Sequence, residues 1–384
     1  MEFLCKTHIM KAIIITSLFV VYLQFGSAQS KPPTPNVFII TLDGFRWQEI
    51  FNGADPELMA NTACVSDTGM IRQLYSGESA AIRRQKLLPF CWNVLSAQGQ
   101  LYGNRVYGNQ ADVKNFYKIS YAGYNEIFTG LADRRFIPNT PRLNKNANLP
   151  AYLNSLDEFK GKVAVFSSWN IFPYILNEPA NNFPVNSGYE HLSSNEPATE
   201  KINQVQDSID NKSACRYDML TFLMAKQYVA QQHPKMLVLS FGETDEFAHS
   251  GRYDMYLQRA NDADRMIAEL WYSVQSDPFY KNNTVLIITT DHGRGRKNNT
   301  WPAHHLFVKG SGEIWMALMG PGVEARGEIK EPGQIYQNQF AQTIAGLLGE
   351  VFAPHHSTGK PIVLHSQAIE KKQDELVSLP VFSR

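Results

Sequence analysis

The stretch Val37-Phe38-Ile39-Ile40-Thr41-Leu42, followed directly by Asp43-Gly44, carries the strongest structural signal in the sequence. It is a continuous run of mostly apolar, β-prone residues. A strand with one solvated face would instead alternate apolar and polar residues. The run therefore predicts a strand that is buried on both faces, as in a parallel sheet, and the polar Asp43 marks its carboxyl end.

Four further apolar runs have the same character, and each ends in polar or glycine-rich residues. They cover residues 163–166, 236–241, 284–290 and 314–319. Apolar residues at helical spacing precede the third and the fourth of the five runs, within residues 220–228 and 257–274. Strands that alternate with helices predict an α/β sandwich.

The composition is that of an ordinary globular protein. The chain has 384 residues, of which 43% are hydrophobic and 19% charged. Lysine and arginine number 36, and aspartate and glutamate also number 36, so the net charge is zero. The hydrophobic content argues against a disordered protein. The balance of charges gives no reason to expect a nucleic-acid duplex as a partner.

The first 28 residues have the pattern of a secretory signal peptide. Lys6 and Lys11 are basic, residues 12–25 are mostly apolar, and Gly26-Ser27-Ala28 offers small residues for cleavage. The apolar run is shorter than the roughly 20 residues that a membrane-spanning helix needs. We therefore expect residues 1–28 to be removed from a periplasmic or secreted protein with no membrane span after cleavage. An uncleaved anchor is the alternative.

The rest of the chain, residues 29–384, is predicted to form a single catalytic domain. Residues 170–215 are rich in Asn, Pro and Ser, and this segment is predicted to be either a lid or an excursion over the sheet edge. Cys64, Cys91 and Cys215 remain after signal cleavage. They are either all free thiols or include one disulfide, and their spacing fits no C-x-x-C metal or redox motif.

Potential metal ligands follow three of the predicted strands. The carboxyl ends of parallel strands lie at one edge of a sheet, so we expect these side chains to converge. Imidazole combined with carboxylate suits zinc, iron or manganese better than calcium or magnesium, and the ligands outnumber the needs of one ion. The residues are Asp43 after the first run, Asp245 and His249 after the third, Asp291 and His292 after the fourth, and His304 and His305 further on.

The order of these residues resembles the alkaline phosphatase superfamily, and most closely its nucleotide pyrophosphatase/phosphodiesterase branch. In that branch the nucleophile begins a segment of the form T-x-P-x-x-x-x-x-x-T-G. Residues 120–130 have the same spacing, with Ser120 at the position of the nucleophile. The D-x-x-x-H motif of the family corresponds to Asp245 with His249, and its D-H-G motif begins at Asp291. The resemblance runs from Val37 to about residue 362.

The resemblance implies a three-layer α/β/α sandwich with a mostly parallel central sheet and a site for two divalent metal ions, usually zinc. It implies Asp245, His249 and His304 as ligands of one ion, and Asp43, Asp291, His292 and the Ser120 oxygen as ligands of the other. The stretch Trp301-Pro302-Ala303-His304 resembles the family at its last metal ligand, so His304 is preferred to His305.

The sequence departs from the family in the nucleophile segment. Ala122 stands where the family usually has Pro, and Gly123-Tyr124 replaces the Asn-His of the phosphodiesterase branch. Asn139 is the nearest candidate for the asparagine that binds a phosphoryl oxygen, with an ordinary turn residue as the alternative. Arg294 is a second candidate for substrate binding, with a solvated surface arginine as the alternative. The C-x-P-x-R motif of the sulfatases does not occur.

These features together predict a two-metal hydrolase of phosphate esters that acts through a covalent phosphoseryl intermediate on Ser120. The substrate is expected to be a small-molecule diester or monoester. One alternative keeps the site but uses it on phosphonates or for phosphoryl transfer. The other is a non-catalytic metal- or glycan-binding envelope protein on the same scaffold. The sequence leaves the oligomeric state open.

Overall fold

The computed structural model describes residues 34–135, 138–193 and 196–364. The predicted signal peptide, residues 1–28, lies outside these ranges. Within them, no helix is both long enough and apolar enough to cross a membrane.

The strands of the described residues form one large mixed sheet and one small parallel pair. They are β1 (Asn36–Leu42), β2 (Gly99–Tyr102), β3 (Asn109–Asp112), β4 (Val163–Ser167), β5 (Val185–Ser187), β6 (Met236–Phe241), β7 (Thr284–Thr289), β8 (Met316–Met319), β9 (Gly327–Glu328) and β10 (Gly333–Tyr336). The large sheet has the order β5-β4-β6-β1-β7-β8-β2-β9, and β10 pairs with β3. Strands β5, β4, β6, β1 and β7 are parallel to one another.

One predicted strand direction is wrong. The run at residues 314–319 supplies β8, which pairs antiparallel with β7 in the register Thr289↔Met316. Between β7 and β8 the chain remains beyond the carboxyl end of β7, so it re-enters the sheet from that edge and runs in the opposite direction. An apolar run reports burial on both faces but not direction, because a strand of either sense can be fully covered.

Helices cover both faces of the sheet. They are α1 (Trp47–Asn52), α2 (Pro56–Ala60), α3 (Thr68–Tyr75), α4 (Ala80–Leu87), α5 (Ser96–Gln98), α6 (Ser120–Thr129), α7 (Leu149–Ser155), α8 (Phe172–Ile175), α9 (Glu178–Asn181), α10 (Pro197–Asp207), α11 (Asp218–Gln232), α12 (Glu243–His249), α13 (Tyr253–Ser276) and α14 (Phe340–Leu347). The helical patterns predicted at residues 220–228 and 257–274 lie within α11 and α13, which confirms both.

Strand β1 shows how the layers are built. Phe38 and Ile40 pack into one hydrophobic cluster, together with residues of α11 and α13. Val37 and Ile39 point the other way, into a second cluster with residues of α6 and α14. Successive side chains of a strand alternate between faces, so a fully apolar strand requires a hydrophobic layer on each side. The predicted α/β/α architecture is therefore confirmed.

The segment 170–215 contributes to one edge of the sheet. It holds α8, α9, β5 and α10, and β5 pairs with β4 as the edge strand. The cysteines of the described residues, Cys64, Cys91 and Cys215, are all free and buried.

Candidate active site

The predicted metal ligands lie together at the carboxyl edge of the central strands. The register Thr41↔Thr289 aligns β1 with β7, so Asp43 and Asp291 each follow an aligned pair by two residues. The Nε2 atom of His292 is 3.4 Å from Asp43 Oδ1 and 3.4 Å from Asp291 Oδ2. Sheet pairing thus brings together side chains that are distant in sequence.

Asp43, Asp291 and His292 form what we call the carboxylate-rich site. All three are buried, with Asp43 only 4% exposed. Asp43 Oδ1 and Asp291 Oδ2 are buried without a hydrogen-bond partner. Burial and the nearby Asp291 raise the pKa of Asp43 to about 8, and burial raises the pKa of Asp291 to about 7. Two buried carboxylates with unpartnered oxygens are a strong indication of a place for a cation.

Asp245, His249 and His304 form a second group, the histidine-rich site. His249 Nε2 lies 3.1 Å from Asp245 Oδ2 and 3.0 Å from His304 Nε2. The side chain of His249 is 51% exposed, so this site is open to solvent on one side. His305, the alternative to His304, is exposed, and its Nδ1 accepts a hydrogen bond from the backbone of Phe307.

His292 stands between the two groups. Its Nε2 is also 3.9 Å from Asp245 Oδ1, and the ligand atoms of Asp245, His292 and His304 all lie within 4.8 Å of one another. The ring of His292 stacks on that of His304, with 3.8 Å between their centroids. The sequence motifs place His292 in one ligand set only, and this position between the two sets was missed.

Backbone oxygens select the histidine tautomers that suit metal binding. His292 Nδ1 is 3.0 Å from the carbonyl oxygen of Gly293, and His304 Nδ1 is 3.1 Å from that of Lys118. A carbonyl oxygen can only accept, so each Nδ1 carries the proton, and the lone pair of each Nε2 faces the site. Burial also lowers the pKa of both imidazoles, which keeps them neutral.

Ser120 begins helix α6 and points at the carboxylate-rich site. Its Oγ is 3.3 Å from His292 Nε2, and the residue is buried. At Gly123, helix α6 approaches very closely the backbone of Asp291, just beyond the end of β7. A Cβ atom added to Gly123 would lie 2.3 Å from the backbone oxygen of Asp291. This contact explains why Gly123 is glycine, since any side chain there would push Ser120 away from His292.

Tyr124 holds Asp43 in place from the core side of the carboxylate-rich site. Its hydroxyl group donates a hydrogen bond to Asp43 Oδ2 at 3.1 Å and accepts one from Ser240 Oγ at 3.0 Å. Its ring packs in the hydrophobic core. In the sequence, Tyr124 stands out only as a departure from the family in the nucleophile segment. Its spacing of four residues from Ser120 places both on one face of a helix, and this was the available clue.

The two predicted substrate-binding residues lie on different sides of the site. Asn139 accepts a hydrogen bond from the backbone N–H of Tyr121, directly after Ser120, at 2.9 Å. Arg294 is buried behind Asp245 and donates to Asp245 Oδ1, to Gly44 O at 3.2 Å, and to Pro302 O. The substrate-binding roles of both residues stay predictions.

A cavity of about 190 Å³ opens beside the nucleophile segment. Tyr121 lines it, together with Arg135, Arg142 and Lys145. Asp133 also lines the cavity and pairs with Arg135. Three cationic side chains against one carboxylate give the cavity a positive charge.

Residues 105–356 of the chain match the type I phosphodiesterase / nucleotide pyrophosphatase family. The matched region includes Ser120 and every predicted ligand except Asp43. The chain belongs to this family. As a type I phosphodiesterase family member, it also fits the superfamily suggested by its motifs.

Solved structures show the same fold at low sequence identity. The alkaline phosphatase PafA is 11% identical, with a TM-score of 0.56 over 87% of this chain and 99% of that one. The lipoteichoic acid synthase LtaP from Listeria monocytogenes is 14% identical, with a TM-score of 0.55 over 85% and 75% of the two chains. A 2-O GAG sulfatase, BT1596, is 13% identical, with a TM-score of 0.55 over 87% and 75%. No curated protein shows a significant match. These likenesses confirm the alkaline phosphatase-like fold of this type I phosphodiesterase family member.

Proposed function

We propose that this chain hydrolyses phosphodiesters through a covalent intermediate on Ser120, with two divalent metal ions bound at its ligand groups. The observation that carries the proposal is the position of Ser120 Oγ, 3.3 Å from His292 Nε2, where the two ligand groups meet. A secreted or periplasmic location is proposed from the signal-like pattern of residues 1–28.

The residues present fit a pair of zinc ions. The unpartnered oxygens of Asp43 and Asp291 face the Nε2 lone pair of His292, and nitrogen with carboxylate oxygen is a donor set that zinc prefers. When bound, such ions would lower the pKa of the serine hydroxyl and neutralise charge on the phosphoryl oxygens. The protein contributes by holding its ligands neutral or anionic and in fixed tautomers.

The proposed reaction has two in-line steps. In the first, Ser120 Oγ loses its proton to solvent and forms a bond to phosphorus, while the bond from phosphorus to the leaving oxygen breaks. The leaving group takes a proton from solvent and departs as an alcohol. In the second step, water attacks phosphorus and breaks the bond to Ser120 Oγ, which releases a phosphomonoester and restores the serine. Ser120 is the first residue of a ten-residue helix, whose dipole stabilises negative charge there.

A diester is preferred to a monoester on two grounds. The family is that of type I phosphodiesterases. In addition, Tyr121, the residue after Ser120, lines the cationic cavity, and we propose that this cavity receives the second ester group of a diester. We propose that Asn139, which accepts a hydrogen bond from the backbone N–H of Tyr121, binds a phosphoryl oxygen.

The proposal is tested with Ser120→Ala in zinc-containing buffer. We expect turnover of bis-p-nitrophenyl phosphate to fall at least about 1,000-fold, because no other group replaces the nucleophile, while zinc content by mass spectrometry is retained. Ser155→Ala is the matched control, since Ser155 is an exposed serine at the end of α7. It should change neither quantity.

Three outcomes would contradict parts of the proposal. Retained turnover in Ser120→Ala would reject the nucleophile. A higher kcat/KM for p-nitrophenyl phosphate than for the diester in the wild type would reject the substrate class. Failure of the wild type to bind zinc would reject the two-metal site.

A further inference from the structure

Arg294 places a positive charge inside one of the two ligand groups. Its guanidinium group donates to Asp245 Oδ1 and, at 3.3 Å, to Asp245 O. Gly44 O and Pro302 O accept from its other nitrogens. The side chain is fully buried, and bonds on three sides keep the charge beside Asp245.

The surrounding backbone is shaped to hold this ion pair. Gly44 adopts a φ of +58°, and a Cβ atom added there would lie 2.8 Å from both Arg294 Nε and Asp245 Oδ1. Any residue other than glycine would therefore be strained and would also collide with the pair. The Arg294–Asp245 contact is thus part of the architecture at the end of β1 and is more than a chance surface pairing.

The two sites consequently present different charges to a metal ion. The carboxylate-rich site has two carboxylates, Asp43 and Asp291, with two unpartnered oxygens. The histidine-rich site has one carboxylate, Asp245, and that carboxylate already pairs with a guanidinium. A divalent ion that displaces the protons of Asp43 and Asp291 meets two negative charges at the first site, whereas at the second it meets a pair with no net charge.

We propose that Arg294 makes the two metal sites unequal, so that one zinc ion binds tightly at the carboxylate-rich site and a second binds weakly and exchangeably at the histidine-rich site. This inference rests on the proposed two-metal function. Arg294 competes with the second ion for Asp245 and repels it through its charge. The enzyme with one ion is then the resting form, and the free zinc concentration sets the fraction that carries both.

The test is a calorimetric titration of the metal-free full chain with zinc alone, using a competing chelator to resolve the tight step. We expect two steps whose dissociation constants differ at least about 100-fold, since the sites differ in net charge by two units at short range. Arg294→Met should tighten the second step at least about tenfold and change the first step less. Arg296→Met is the matched control, because Arg296 is 45% exposed and pairs with Glu313. It should leave both steps unchanged.

A second variant identifies the weak site without relying on Arg294. Asp245→Asn should abolish the weak step and leave the tight step in place. The inference is overturned if the wild type binds two ions with equal affinity, if a folded Arg294→Met retains the wild-type constants, or if Asp245→Asn loses the tight step. Each of these results leaves the proposed function standing. No zinc binding at all would instead reject the proposed function itself.

Discussion

The carboxylate-rich site and the histidine-rich site share an edge of the sheet but are built in different ways. Asp43 and Asp291 are buried directly beyond β1 and β7, two paired strands at the centre of the sheet. The histidine-rich site draws His249 from the short helix α12 and His304 from the long connection between β7 and β8. His249 is half exposed, and Asp245 pairs with Arg294.

The position of a site on the sheet therefore determines how strongly its side chains are constrained. Two adjacent strands with fixed register determine the distance between their following residues. A helix and a loop leave more room for movement and for a competing charge. We therefore expect changes at the carboxylate-rich site to have larger effects than changes at the histidine-rich site.

The largest effect is expected for Asp291→Asn. This change removes one of two carboxylates from a buried site, so tight zinc binding should weaken at least about 100-fold and turnover should collapse. Zinc affinity is measured by titration against a chelator. The partner comparison is Asp245→Asn, which should keep one tightly bound ion. If tight zinc binding survives in Asp291→Asn, the tight ion is not bound at the carboxylate-rich site, and the proposed difference between the two sites is contradicted.

A smaller but still large effect is expected for Gly123→Ala. The added Cβ meets the backbone of Asp291, so helix α6 must shift and carry Ser120 away from the ligands. We expect a stability loss of about 1–3 kcal/mol and a turnover loss larger than this destabilisation explains. Thermal unfolding and single-turnover kinetics measure the two quantities.

Gly346→Ala is the matched control for this experiment. Gly346 lies in helix α14, and an added Cβ would meet no atom within 4 Å. Alanine should therefore be neutral or should stabilise the chain by about 0.5–1 kcal/mol, without any effect on turnover. Equal behaviour of the two variants would show that the close contact at Gly123 does not position the nucleophile.

The smallest effect is expected for Tyr124→Phe, which removes only the hydroxyl group bonded to Asp43. Without this bond Asp43 is less firmly oriented, so zinc affinity at the carboxylate-rich site should fall by about 10–100-fold. Tyr280→Phe provides the comparison, because the buried Tyr280 hydroxyl donates to Pro234 O. That variant should lose about 1 kcal/mol of stability and keep its zinc affinity. An unchanged zinc affinity in Tyr124→Phe would show that the Tyr124 hydroxyl does not orient Asp43 for metal binding.

Much of the fold was predictable because long apolar strands report their own burial. Strands β1, β4, β6 and β7 follow runs that the sequence shows plainly. The strands β2, β3, β5, β9 and β10 were not predicted, because each is short, and several are polar, as in Asn109–Asp112 and Gly327–Glu328. Such segments become strands through their neighbours in the sheet and not through their own hydrophobic pattern.

The candidate site was likewise predictable only in part. Aspartates and histidines that follow apolar strands were recognised because parallel strand ends must lie at one edge. The positions of Tyr124, Gly123 and Arg294 were not recognised, because their partners come from other parts of the chain. Arg294 in particular follows the D-H-G motif. Nothing in the sequence distinguishes an arginine that faces the substrate at the solvent-exposed side of the site from one that is buried behind Asp245.

The sequence alone thus predicts the α/β class, the central strands and the aspartates and histidines that converge at the strand ends. The physical reason is that a run of apolar residues indicates burial locally, and the aspartates and histidines follow these runs in the chain. Only the tertiary structure decided the direction of β8, the contact of Gly123 with Asp291 and the pairing of Arg294 with Asp245. These depend on how close two distant segments approach, and that distance is set by packing and register across the whole sheet.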